Sequence, residues 1–441
     1  MYDFNQNKDE KENQEDLQIE NEIVTLACYL LVKKHNDNLQ THGDFSFPDS
    51  VKSWHNYGMC DQLRIQNNAS LLELIGNKLT DIIEDSKTWI LHVIHAKKEN
   101  GRVYLFLERP HTIRIGLLEA LRNHEIISEI LREWLLIADV TCTEDNKDLT
   151  TLRAKYLCNV IRNICAIHDL KKPILVTSKS TMKHDGYQTI LCGTVLNAKT
   201  GVKETTINAD DYIRIRQDEM TLIAQHKYGV RVSTESKWKD FVAHLGESAA
   251  AFELLQAKPS SAIKINFECP SVGSSKGASF ILYNCARLET IIKTYNDKVS
   301  DGTYPELPDI EDVNLSLLTQ EDEWYLIFNY IMGLPSLLNN CVDVTAKGIE
   351  FKPHFICNYL CSMEPRHHLL PVIFARIHML KILNDTLKIC LNILNIKSVS
   401  QIASAVIMCD LSGVYVKVSA CRTILYVFCS RTTHNELEKN R

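Results

Sequence analysis

Four polar side chains on one helix are the residues of this chain best suited to holding a nucleic acid. Wound at 100° per residue, SFILYNCARLETIIKTY at 279–295 places Ile281, Cys285, Leu288, Ile292 and Tyr295 on one apolar stripe. Tyr283, Arg287, Thr290 and Thr294 fall almost opposite. An aromatic ring and a guanidinium four residues apart can stack on a base and grip a phosphate. The same spacing also suits Tyr283 packing on a neighbouring helix and Arg287 pairing with an acid. A second helix, opened by Pro371 and running to about Asn395, is apolar over a wide arc and leaves His378, Lys381, Asp385, Lys388 and Asn392 on the remainder. Lys381 and Lys388, two turns apart, can track a phosphate backbone, or they form a solvated stripe. Arg376 lies inside the apolar arc and calls for an acidic partner.

Other chemistries lack their residues. Neither GxGxxG nor a GK[ST] loop occurs to cradle phosphates, and no GxSxG elbow presents a nucleophile. The fifteen cysteines contain no CxxC pair, and Cys357 and Cys361 stand four apart without the second pair a zinc site needs. His92 and His95 fall in a strand-like run and point to opposite faces. The His367-His368 pair precedes the last helix, where it can contact RNA or stay inert. No catalytic residue, metal or cofactor is expected.

These candidates need elements to position them. With 441 residues and 45% hydrophobic content the chain should form two or three domains. A net charge of -6 argues against indiscriminate coating of nucleic acid, so a binding surface must be local. Residues 1–22 are polar and acidic and read as a disordered lead. An α/β region follows over 23–140. It holds a helix at Leu71 to Ile83, a hairpin of Thr88 to His95 with Arg102 to Leu107 around a KENG turn, and a helix at Ile115 to Ile137.

After the polar CTEDNKD break comes a second α/β region, 146–268. Helices are expected at Leu152 to Ile167, Ala209 to Tyr228 and Lys237 to Ala257, with strands at Pro173 to Thr177, Gln188 to Leu196 and Ile263 to Phe267. Everything from there to Ser400 reads as helix, a bundle over 270–400. The tail, 401–441, alternates like a hairpin around Ser412-Gly413, and TILYVFC within it is β-prone and uncharged. An odd cysteine count, no hydrophobic leader at Met1 and no long apolar run predict a reducing, cytoplasmic setting without a membrane.

Three runs resemble a known domain in the right order over about 125 residues. ASFILYNCARLETIIKTY resembles the opening of the anticodon-binding domain of arginyl-tRNA synthetases. EDEWYLIFNYIMGLPSLLNNCV resembles its Leu-rich helix with a central Pro, and FARIHMLKILNDTLKICLNILNI its last helix. The similarity is greatest to the DALR anticodon-binding domain-containing protein 3 family, at GASFILYNCARL, DGTYPELP and LLTQEDEWYLIFNYI. Two departures stand out. The family carries an additional aromatic stretch where Cys361-Ser362-Met363 here joins Glu364-Pro365-Arg366 directly, and it stops near Gln401.

The resemblance implies an α+β, multidomain fold: a mixed α/β N-terminal region, a degenerate class I synthetase-like (Rossmann-like) middle and a C-terminal all-α anticodon-binding bundle. The middle lacks the synthetase signatures. LRAKYLCNVIRNICAIHDLKKPILVTS resembles the helix and strand after an HxGH turn, yet the four preceding positions are Asp148, Leu149, Thr150 and Thr151. ILCGTVLNAKTGVKETTINADDYIRIR resembles the surroundings of a lysine loop but keeps only Lys199 and Lys203. Losing one electrostatic contact of this kind costs roughly 2.7–4 kcal/mol at comparable sites. The resemblance therefore implies a non-catalytic adaptor. It would recognise arginine tRNAs and support N3-methylcytidine formation in the anticodon loop by a partner methyltransferase. A divergent arginine-tRNA ligase and a helical scaffold without RNA binding remain the alternatives.

Overall fold

The computed structural model describes residues 31–54, 69–74, 76–133, 139–142, 147–179, 185–228, 236–267, 274–345, 348–363 and 373–398. The expected lead over 1–22, the tail over 401–441, the His367-His368 pair and Pro371 lie outside them. The chain divides into two compact units, each assembled from separated stretches.

The first unit joins residues up to Arg122 with Leu307–Gly333 and Arg366–Ile382. Its centre is an antiparallel sheet of β1 (Lys33–Lys34), β2 (Phe45–Pro48), β3 (Val93–Glu99) and β4 (Arg102–Leu107) in the order β1-β2-β4-β3. The hairpin of β3 and β4 closes through Asn100 and Gly101, both at positive φ, as a two-residue turn matched to strand twist requires. β3 starts five residues later than expected. Ser86–Thr88 forms a helical turn instead, and the Ser86 hydroxyl accepts the Val93 N–H at 2.9 Å. The expected helix at 71–83 is broken into Leu71–Leu74 and Leu79–Asp85, with Gly76 at positive φ between them. Val103 packs with Leu72 and Ile82 beneath the sheet.

Helix α1 (Arg109–Glu133) begins six residues before the predicted start. Its first turns hold the 307–333 stretch against the sheet. Arg109 forms a fork with Glu321, and Arg114 donates to the carbonyls of Ile310, Glu311 and Val313. Trp324 donates its indole N–H to Asp44 at 2.9 Å, and Lys34 donates to the Phe328 carbonyl at 2.8 Å. That carbonyl lies in a π-helical turn, Leu326–Ile331.

The second unit holds a parallel sheet of β5 (Val140–Cys142), β6 (Ile174–Thr177) and β7 (Gln188–Leu191). Helix α2 (Leu149–Ile167) is the crossover from β5 to β6. All four β6 residues are buried, as a parallel strand covered on both faces must be. The expected strand 188–196 is two strands, β7 and β8 (Val195–Asn197), and β8 pairs in parallel with β9 (Ile263–Ile265). Helices α3 (Ala209–Tyr228) and α4 (Ser236–Leu255) pack together, and Gly246 allows it: a Cβ there would sit 2.6 Å from Gln217 Cα. Leu149, Val195, Tyr212, Ala250, Leu254, Ile263 and Ile265 form the core.

Helix α5 (Ser274–Ser300) follows, packed on α4 and on α6 (His354–Ser362). The stretch beyond Phe267 is not all helix, which corrects the all-α expectation for the C-terminal region. Val342–Thr345 and Gly348–Phe351 pair as an antiparallel hairpin, β10 and β11. The last helix, α7, spans Ile373–Ile393 and contributes its residues from Leu383 onward to this unit.

Candidate nucleic-acid interface

The apolar stripe of α5 is where the spacing puts it. Ile281, Cys285, Leu288 and Tyr295 are buried, and the Tyr295 hydroxyl donates to the Pro305 carbonyl at 3.0 Å. The opposite face is half-open. Arg287 is half-buried and makes no hydrogen bond or ion pair among the described residues. Thr290 is half-buried and Thr294 exposed. Both hydroxyls donate back to the helix, Thr290 to the Ala286 carbonyl and Thr294 to the Thr290 carbonyl, each at 2.7 Å. The Tyr283 side chain lies outside the described residues.

Lys388 stands apart from this face. Its ammonium pairs with Glu289, whose carboxylate also accepts from the Asn384 side-chain amide. Glu289 is two residues from Arg287, about 200° around the helix, so the structure does not bring Lys388 beside Arg287. It ties α7 to α5 instead. Lys381 belongs to the first unit, half-buried and without an ion pair among the described residues. Near it His378 donates to the Pro308 carbonyl, and burial, with Lys381 adding to it, holds that imidazole below its ordinary pKa. Arg376 has the acid it called for: it pairs with Glu323, and both side chains are largely buried.

Asp148, Thr150, Thr151 and the 197–207 loop are held by local hydrogen bonds and burial. Asp148 caps α2, accepting the Thr151 N–H at 2.7 Å, and pairs with Lys203 at 2.8 Å. Burial pushes its carboxyl up, but the bonds from Lys203 and Thr151 outweigh this and leave it below the usual range. Thr150 and Thr151 are buried. The loop that resembles a lysine loop is organised around an acid. Glu204, 3% exposed, accepts from Asn197 at 2.8 Å and from the backbone N–H groups of Thr206 and Ile207. Burial alone would raise its pKa; the hydrogen bonds from Thr206, Asn197 and Ile207 prevail and draw it down to about 2.

Sequence reasoning passed over two buried arginines. Arg153 is wholly buried with no carboxylate partner among the described residues, and donates to the carbonyls of Leu254, Gly193, Ser261, Ala257 and Lys258. Arg216, also wholly buried, meets Glu253 and Glu219, and Tyr212 donates to the same Glu253 at 2.6 Å. The signals available were the Arg216 and Glu219 spacing of three on a helix and an arginine within the otherwise apolar face of α2. His92 stacks on His111 with ring centroids 3.9 Å apart, while His95 meets Phe106, so they share no ligand geometry. Among the described residues no His, Cys, Asp and Glu group suits a metal ion, and no helix is long and apolar enough to cross a membrane.

No family model matches. The curated relatives are named DALR anticodon-binding domain-containing protein 3. The one from Danio rerio is 28% identical over 236 residues, 48% of this chain and 41% of that protein. The Rattus norvegicus relative is 27% identical over 231 residues, 48% of this chain and 43% of its own length. The chain thus spans less than half the length of the curated relatives it matches. Among solved structures, arginyl-tRNA synthetase from Thermus thermophilus aligns with a TM-score of 0.38 at 14% identity, covering 52% of this chain and 40% of that one. Arginyl-tRNA synthetase from Plasmodium falciparum aligns with a TM-score of 0.35 at 13% identity, covering 54% and 44%.

Proposed function

We propose that this chain is a non-catalytic, cytoplasmic tRNA-binding adaptor that recognises arginine tRNAs and supports N3-methylcytidine modification of the anticodon loop by a partner methyltransferase. The observation that carries the RNA-binding part is Arg287. A guanidinium without an acid among the described residues, on a helix whose other face is committed to the core, is a charge available to a phosphate. The relatives' name supplies the kind of RNA, since it describes an anticodon-binding domain. Tyr283, Thr290 and Thr294 complete the proposed contact face with Arg287, and Lys381 is a further proposed phosphate contact. Lys388 joins them only by releasing Glu289.

The non-catalytic part is supported by Asp148 and Glu204. Asp148 neutralises Lys203 and Glu204 adds a carboxylate, so neither position supplies the positive charge that adenylation needs against ATP phosphates. The arginine specificity and the methyltransferase partner rest on the sequence resemblance. The test has two stages. RNA that copurifies with the chain is sequenced, and the proposal expects arginine tRNAs to be enriched. Methylation of an arginine tRNA transcript by the isolated methyltransferase is then measured with and without the chain, and an unchanged rate would remove the adaptor role.

A further inference from the structure

We infer that Thr290 and Thr294 read ribose, and that the α5 face thereby selects RNA over a sugar lacking the 2′-hydroxyl. The inference rests on the RNA-binding reading of Arg287 and deepens it. A threonine hydroxyl has one proton, and in both residues that proton is spent: a carbonyl can only accept, so each hydroxyl donates to its carbonyl at 2.7 Å. What Thr290 and Thr294 show to a ligand is oxygen lone pairs. A phosphate has no proton to give them, so neither is a phosphate contact as arranged.

Arg287 is the opposite case, five N–H donors and no acceptor, made for phosphate. Along α5 it stands one turn from Thr290, which stands one turn from Thr294, a row of roughly 10 Å at 1.5 Å per residue. A strand alternates phosphate and ribose, so Arg287 beside Thr290 suits a phosphate and its adjoining ribose, and Thr294 one turn on suits the following ribose. The 2′-hydroxyl is a donor that RNA carries in every nucleotide and DNA lacks. Base edges also carry N–H donors, but they project away from the backbone that Arg287 holds.

The experiment uses the whole chain and an anticodon stem-loop RNA. It is compared with the same stem-loop bearing 2′-fluoro sugars, which keep the RNA-like pucker and lose the donor. Affinities are measured by fluorescence anisotropy for the natural chain and for Thr290→Val and Thr294→Val, shape-matched changes that replace the hydroxyl with a methyl group. The natural chain should prefer the hydroxyl form by roughly tenfold for each of the two hydrogen bonds that the 2′-fluoro form lacks. Each variant should lose its own share, about tenfold, of that preference while holding the 2′-fluoro form as tightly as before. Equal loss toward both forms would show that the threonines meet bases and would overturn the inference while leaving RNA binding intact. Salt-insensitive or absent binding to either form would overturn both, and circular dichroism of the variants separates any of these from misfolding.

Discussion

Glu289 of α5 holds the ammonium of Lys388 of α7 and the side-chain amide of Asn384 with the same carboxylate. Both partners of the ion pair are about a third exposed or less, so the pair fastens two helices rather than decorating a surface. Lys388→Ala should therefore lower stability by about 1–2 kcal/mol, between the values for exposed and buried pairs. Urea unfolding measures it. Affinity of the folded variant for tRNA should stay within twofold of the natural chain; a larger loss would return Lys388 to the RNA face.

Arg153 should be worth more than any ion pair in the second unit. Five carbonyls converge on its guanidinium, with no carboxylate partner among the described residues; the Lys258 carbonyl also accepts the Ser261 N–H and the Gly193 carbonyl the Cys192 thiol, while the others have Arg153 as their side-chain donor. Arg153→Met removes the donors and leaves those acceptors buried, so a loss of at least about 3 kcal/mol is expected from denaturant midpoints. A loss below 1 kcal/mol would mean that the 254–261 segment relaxes to water.

His124 predicts an acid-sensitive step. Burial draws its pKa down to about 4, and its ring meets the Thr386 hydroxyl at 3.1 Å. The unfolded chain takes up a proton there near 6.5, but the folded chain does so only near 4. Stability is then fully present above 6.5 and falls as pH drops toward 4, by on the order of 3 kcal/mol. Thermal melts of His124→Gln across that range should show a flatter dependence than the natural chain.

An assay for arginine-dependent and ATP-dependent pyrophosphate exchange should give no signal above a blank. Asp148 is paired with Lys203, and Glu204 is satisfied by its own loop, so neither position offers ATP a positive charge. Exchange that depends on both substrates would establish the ligase instead.

What could be read in advance follows a physical line. Ala209–Tyr228 and the buried stripe of α5 were legible because helical periodicity is local, and the β3 and β4 hairpin because Asn100-Gly101 admits the required turn. The β10 and β11 hairpin was not, since VDVT and GIEF are short and lie among helical runs. Nor was the early start of α1, because Pro110 near its first turn reads as a break until one notes that this position needs no backbone N–H. The need of Arg376 for an acid was visible, while its identity, Glu323, lies 53 residues away in sequence. The Arg287 row is an expectation from residue type and spacing. That Thr290 and Thr294 spend their protons on the backbone, and that Lys388 belongs to Glu289, are facts of distance alone.

The most direct measurement is a tRNA binding titration of Arg287→Ala against the natural chain at several salt concentrations, with circular dichroism confirming that both are folded. A charge-assisted phosphate contact should cost roughly 1–3 kcal/mol on removal and lower the slope of log affinity against log salt by about one contact. Unchanged affinity and unchanged slope in a folded variant would contradict the account at its centre.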